Sequence, residues 1–293
     1  MDQLTTKFKE VKKNRPVSLR EIVRNIALNG LSLKTKLTNS EKLFEKPRIQ
    51  FLYIHHVYED ETMNFDKLLN ALMKNHTFIS YSDAVNKILS NKIDKPYVSI
   101  SSDDGFKNNL KAAEILEKYG IKACFFINPD TIGLTNFSKI KIFCKQRLNF
   151  PPTEFLNWND VDHLVKNGHE IGSHTIGHIN IANTSMTEFE DNLNKSYEII
   201  HNRCGNAHHF AYPYGRFFHF NQEAYNLVFK AGFVSCASAE RGCHISPKEK
   251  MNPNHLFIRR DHVICDWNIN HVLYFLLNNS KYSSLATNIS PYL

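Results

Sequence analysis

From Phe51 onward, short apolar runs alternate with stretches of helical periodicity, and this alternation restricts the chain to a few architectures. Phe65 to Met73, Ala84 to Leu89, Leu110 to Tyr119, Leu193 to His201 and Ala224 to Phe229 carry the helical pattern, with runs of strand length between them. Such a series is expected to fold as α/β with a mainly parallel sheet, each helix covering the strands it connects. At 293 residues and 42% hydrophobic content the chain can bury one large core, and barrels of this length are commonly one domain.

The candidate chemistry starts at Ser99-Ile-Ser-Ser-Asp-Asp-Gly105. Tyr97 to Ser101 reads as a strand, and Gly105 stops it before the next helix. Asp103 and Asp104 therefore fall at a strand's C-terminal end, where adjacent carboxylates repel unless a cation neutralises the site. An isolated Asp-Asp-Gly is more often a solvated turn that caps a helix. A second motif changes that balance. Gly168-His-Glu-Ile-Gly-Ser-His174 has strand character from Glu170 to Ser173 and leads to His174 and His178. If Thr175 to His178 forms a helical turn, the two imidazoles share one face, which suits two ligands of one zinc. Alone, the spacing is weak among 15 histidines. Together with the acidic pair, it points to a metal-dependent hydrolase.

A third segment, Phe210-Ala-Tyr-Pro-Tyr-Gly215, follows after one helix, Thr187 to Arg203. Pro213 holds Tyr212 extended and Gly215 permits a strained turn, which makes the backbone N–H of Tyr214 a candidate oxyanion donor. Read alone, the segment is a surface turn with two packed tyrosines.

The order Asp-Asp-Gly, His-Thr-x-x-His, Ala-Tyr-Pro-Tyr-Gly resembles the polysaccharide deacetylases of carbohydrate esterase family four, the NodB homology domain. The resemblance runs from about Phe51 to about Leu277. It includes Phe51-Leu-Tyr-Ile-His-His-Val57 and Ile121-Lys-Ala-Cys-Phe-Phe-Ile-Asn128 as the family's early strands. It implies a distorted, incomplete (β/α) barrel with the site at the strands' C-terminal ends. It further implies that Asp104, His174 and His178 hold a divalent metal, with Asp103 as the base that activates water. Zinc is the expected ion; cobalt, nickel and manganese suit the same donors.

The acid that family members carry in a late Leu-x-His motif has no clear counterpart here. Ile269-Asn-His271 opens an apparent helix, and the resemblance to a variant with the acid on the first strand selects His55, with His271 as the alternative. Ala211 stands where the family often has an arginine that orients the base. Arg260, in Leu256-Phe-Ile-Arg-Arg-Asp-His-Val263, resembles the arginine that some members carry on a late strand, and would pair with Asp103 while Arg259 faces away. Asp266-Trp267 resembles another family motif, in which the tryptophan lines the acetyl pocket. Tyr212, Pro213 and Trp267 are the expected substrate contacts.

Charge is uneven. Residues 1–50 hold 12 Lys or Arg against 5 Asp or Glu, and the remaining 243 hold 24 of each sign. The expected organisation is a basic helical extension (1–48), a catalytic domain (49–280) and a loosely ordered tail (281–293). The extension, with Ile22-Val23, Ile26-Ala-Leu28 and Leu31, is either an amphipathic helix on an anionic membrane face or acidic partner, or a helix packed on the barrel with a solvated basic face. No recognition motif accompanies the charge, so nucleic acid is not an expected partner. Met1-Asp-Gln-Leu-Thr-Thr-Lys7 lacks a signal peptide's apolar core, and the six cysteines form no Cys-x-x-Cys pair. A cytoplasmic location, with possible contact at the inner membrane face, is the expectation.

The expected activity is removal of acetyl from an N-acetylated amino sugar in a glycan or a lipid- or nucleotide-linked precursor. The alternatives are hydrolysis of another small amide, imide or ureide on the same fold, and a catalytically silent glycan-binding protein motivated by Ser101, Ser102 and Ala211.

Overall fold

The computed structural model describes residues 3–13, 18–37, 44–205, 207–246, 252 and 256–281. The expected tail lies outside them from residue 282. The expected (β/α) barrel is present, with a helical N-terminal region made of α1 (Phe8–Lys13) and α2 (Leu19–Leu37).

The strands are β1 (Arg48–Ile54), β2 (Thr77–Phe78), β3 (Pro96–Ser102), β4 (Ala123–Ile127), β5 (Glu170–Ser173), β6 (His209–Ala211), β7 (Ser235–Ala237), β8 (Phe257–Ile258) and β9 (Arg260–His262). They form one parallel sheet in the order β8-β7-β6-β5-β4-β3-β1-β9, with β2 beside the start of β3. The two ends of this order are neighbours in sequence. β8 pairs with β7, β9 pairs with β1, and only Arg259 stands between them, so one bent run nearly closes the sheet on itself. The Arg259 N–H, turned out of the ladder, donates to His244 Nε2 at 3.0 Å.

Each strand alternates between two cores, as the period of two requires. Leu52, Ile54, Val98, Ile100, Phe125 and Ile127 face outward onto the helices. These include α3 (Thr62–Met73), α5 (Asn109–Glu117) and α8 (Met186–Cys204). Ile49, Phe51, Cys124, Phe126, Ala211, Ala237 and Ile258 fill the barrel, closed at one end by Tyr81, Val85 and Ile88 of α4 (Tyr81–Leu89). Gly172 is needed on the inner face, because a Cβ there would meet the Phe126 ring at 2.5 Å. Continuing this inner register toward the strands' C-terminal ends gives His55, Asp103, His174 and His262, which is how the site residues converge.

The helices of the sequence reading are present: α3, α4, α8 and α9 (Gln222–Lys230) extend beyond the expected ranges, whereas α5 starts one residue early and ends two residues short of Tyr119. One that the sequence reading omitted, α7 (Trp158–Lys166), buries only Val161 and Leu164 and starts from a capping box between Asn157 and Asp160. The remaining helices are α6 (Phe137–Phe143) and α10 (Ile269–Lys281).

Candidate active site and metal centre

The two aspartates at the end of β3 are resolved into different roles by their surroundings. Asp103 is buried and gripped by Arg260, Nη1 to Oδ1 at 2.8 Å and Nη2 to Oδ2 at 2.9 Å. Burial alone raises its carboxyl, but Arg260 and the neighbouring imidazoles outweigh it and hold Asp103 down at about 2. Asp104, in a left-handed turn at φ 74°, has no such cation. Burial and the charge of Asp103 push it well above the ordinary carboxylate range. Arg260 is itself held in place: its Nε donates to Ser238 O at 2.8 Å, and its guanidinium lies 4.5 Å from the Tyr53 ring centre.

Asp104 Oδ1 lies 3.5 Å from His174 Nε2 and 3.4 Å from His178 Nε2. It is buried with no hydrogen-bond partner among the described residues. An orphaned buried carboxylate oxygen is costly, and a cation between these groups removes the cost. The three donors lie within 4.8 Å of one another. His174 Nδ1 is 2.7 Å from Ala211 O, so it carries the proton and leaves Nε2 as a lone-pair donor facing Asp104. Both imidazoles are held below their usual range, mainly by desolvation, His174 at about 4. Neutral imidazoles beside a carboxylate that lacks a partner fit a divalent metal.

The route by which the histidines converge differs from the expected helical turn. Thr175 and His178 have φ 65° and 51°, so this is an irregular turn with two left-handed residues. Asn128, at the end of β4, holds it by donating from Nδ2 to His174 O and to Thr175 O. Two carbonyls tied to a neighbouring strand favour this conformation over a helix.

His55 follows β1, its Nε2 3.9 Å from Asp104 Oδ2. Its Nδ1 lies 3.1 Å from His262 Nε2. His262 escaped the sequence reading, although it stands two positions after Arg260 and so shares its strand face. His56 is a packing residue, stacked on Phe150 and Tyr58. His271, the alternative acid, lies on α10 with Nε2 2.7 Å from Asn29 Oδ1 of α2, engaged away from this cluster.

A pocket of about 340 Å³ contains Asp103, Asp104, His55, His174, His178 and Arg260. Tyr212 and Tyr214 also line it. Tyr212 is buried and stacked on Phe220, whereas Tyr214 is 37% exposed and meets His178 edge-on. Tyr214 has φ 63° and Gly215 φ 64°. A Cβ on Gly215 would come within 2.3 Å of Ala239, so the glycine is required. Two expected substrate contacts are displaced. Pro213 is buried outside the lining. Trp267 stands behind His262, ring centres 6.0 Å apart, because the turn after β9 carries it onto α10 and α2.

The N-terminal segment supplies part of the wall. Phe8 lines the pocket and packs on Tyr58. The Phe8 and Lys9 N–H groups donate to Asp60, Thr5 N–H donates to Pro152 O, and Lys12 pairs with Asp266. These contacts tie the segment to three of the loops around the site.

The polysaccharide deacetylase family model matches residues 90–235, and the chain belongs to that family. No curated protein matches it. Solved structures show the same fold. The Streptococcus pyogenes deacetylase PplD, in complex with acetate, is 16% identical with a TM-score of 0.60, covering 79% of this chain and 99% of that one. IcaB from Ammonifex degensii is 16% identical with a TM-score of 0.61, covering 79% and 98%. A de-N-acetylase from Aggregatibacter actinomycetemcomitans is 17% identical with a TM-score of 0.58, covering 78% and 100%.

Proposed function

We propose that this protein is a metal-dependent N-deacetylase that hydrolyses the acetamide of an amino sugar in a glycan or a lipid- or nucleotide-linked precursor. The observation that carries the reading is the division of labour in the acidic pair. One aspartate is neutralised by Arg260, while the other faces two imidazoles with an oxygen that lacks a partner.

Asp104, His174 and His178 would hold the metal, zinc being the first choice for this donor set and cobalt, nickel or manganese fitting it too. When bound, the metal acidifies water and polarises the amide carbonyl. Asp103 stays ionised across the working pH range and takes the proton of the attacking water, its orientation fixed by the two-point hold of Arg260. The Tyr214 N–H is the proposed donor to the oxyanion. Departure of the amine needs a proton, and His55 is placed to give it. As the imidazolium, His55 donates its Nδ1–H to His262 Nε2 and carries the transferable proton on Nε2, the nitrogen facing Asp104, returning to neutral imidazole when it gives that proton up.

The exposed Tyr214 and the aromatic lining favour a sugar over a small imide or ureide, since a sugar ring stacks on such faces. The proposed location is a reducing cytoplasm, where the six free thiols are stable. The test is elemental analysis combined with acetate release from N-acetylglucosamine oligomers. The parent should hold about one metal per chain, which His174→Ala should lose; Asp103→Asn should keep it and lose about 10²–10⁴-fold in turnover. A parent that takes up no divalent metal overturns the reading in favour of a silent binding protein. A metal-loaded parent that releases no acetate moves the substrate to another amide.

A further inference from the structure

Helix α2 meets the barrel through a narrow face and turns an apolar face outward. Leu28 and Ser32 are its buried side chains among residues 19–35. Ser32 Oγ donates to Asn270 O, Asn29 meets His271, and the Arg24 guanidinium lies 5.7 Å from the Trp267 ring centre. On the far side Leu19, Ile22, Val23, Ile26 and Leu33 are 77%, 48%, 58%, 67% and 59% exposed. At about 100° per residue these five fall in one stripe about 100° wide, opposite Leu28. Single exposed leucines are ordinary, whereas five aliphatic side chains aligned on one helix form a patch that water covers at a cost.

Charge selects the occupant. By the same angular count Arg20 and Lys34 border the stripe, while Glu21, the acidic residue of this helix, falls on the barrel side. Lys7, Lys9, Lys12 and Lys13 are exposed just ahead of it. A second copy of the stripe would bring no acid to meet Arg20 and Lys34; an anionic lipid surface offers phosphates at their level and an acyl boundary for the aliphatic side chains. We propose that α2 docks the protein on an anionic lipid surface, its apolar stripe in the headgroup boundary and Arg20 and Lys34 at the phosphates.

The docking helix and the pocket share a support. Lys12 of α1 pairs with Asp266, and Arg24 of α2 covers Trp267. The segment bearing both begins with Val263 and Ile264, which line the pocket. A protein docked through α2 therefore has the pocket wall tied to the element that touches the lipid.

Vesicle flotation tests this whether or not the deacetylase reading holds. The full chain should float with vesicles of equal parts phosphatidylcholine and phosphatidylglycerol and stay behind with phosphatidylcholine alone. Ile22→Asp combined with Ile26→Asp should weaken flotation at least about tenfold while leaving the thermal midpoint unchanged, because both side chains face solvent. Arg20→Glu combined with Lys34→Glu should abolish the preference for the anionic lipid. The proposal is overturned if the parent does not float, if it floats equally on both lipids, or if the isoleucine variant floats like the parent. It is also overturned if sedimentation velocity shows a dimer that the isoleucine variant dissociates, since the stripe is then a self-interface.

Discussion

Arg260 reaches across the barrel from β9 to grip Asp103 at 2.8 and 2.9 Å, and in doing so it decides which member of the acidic pair is left facing the two histidines. The guanidinium is buried against Tyr53 and Phe126, so the pair is shielded from water and its geometry is fixed by packing as well as charge.

That two-point hold is what a lysine cannot reproduce. Arg260→Lys keeps the positive charge, and its metal content should match the parent's, while turnover falls on the order of 10- to 100-fold because Asp103 is no longer oriented. Steady-state kinetics with metal analysis checks this; parental turnover in a metal-loaded Arg260→Lys would remove Arg260 from any positioning role.

Asn128 makes a different prediction, since it holds the left-handed turn rather than the reacting groups. Asn128→Ala should weaken metal affinity by about 10- to 100-fold, as loss of supporting contacts around metal ligands does. Competition against a chromophoric chelator measures it.

His262 should act through His55. His262→Phe is expected to lower turnover about tenfold or more with metal content unchanged. Combined with His55→Ala it should add almost nothing, because both changes remove the same proton donor. An additive double variant would separate the two histidines.

Asp261, beside Arg260 but facing outward, is buried, and burial pushes its carboxyl up to about 7 against the pull of Arg241. In the unfolded chain an aspartate titrates near ~3.9. Between these values the unfolded chain releases its proton while the folded chain keeps it. The stability due to neutral Asp261 is thus full below ~3.9 and lost as pH rises through about 7. Asp261→Asn should gain stability relative to the parent, and gain more at about pH 8 than at about pH 5, by an unfolding free energy on the order of a few kcal/mol read from denaturant titration. A pH-independent difference would show that Asp261 is already ionised in the folded protein.

Much of this was legible in the chain because local patterns carry it. The alternation of apolar runs and helical stretches pointed to an α/β fold with a parallel sheet, which the family resemblance narrowed to a barrel, and the period of two along β1, β3, β5 and β9 specifies which residues share the inner face. Asp103, Asp104, His174 and His178 could be read as a group because each follows a strand of that set. The same rule, applied to Arg260 and His262, would have found the histidine behind His55.

Other features depend on which elements become neighbours. The choice between Arg260 and Trp267 turned on how the bent run from Phe257 to His262 closes the sheet, since pairing β9 with β1 points Arg260 inward and sends Trp267 onto α10. The turn at His174 looks helical by spacing, yet Asn128 on the adjacent strand draws its carbonyls into another shape. In α2 the apolar residues alone cannot say which side is covered; α10 takes Leu28 and Ser32, leaving Leu19, Ile22 and Ile26 outside. The sequence by itself determined the α/β architecture and the candidate site residues, because periodicity and residue chemistry act over a few positions. Only the tertiary structure decided the partner of each charge and the exposed face of each helix, because those depend on groups far apart in the chain that meet on folding.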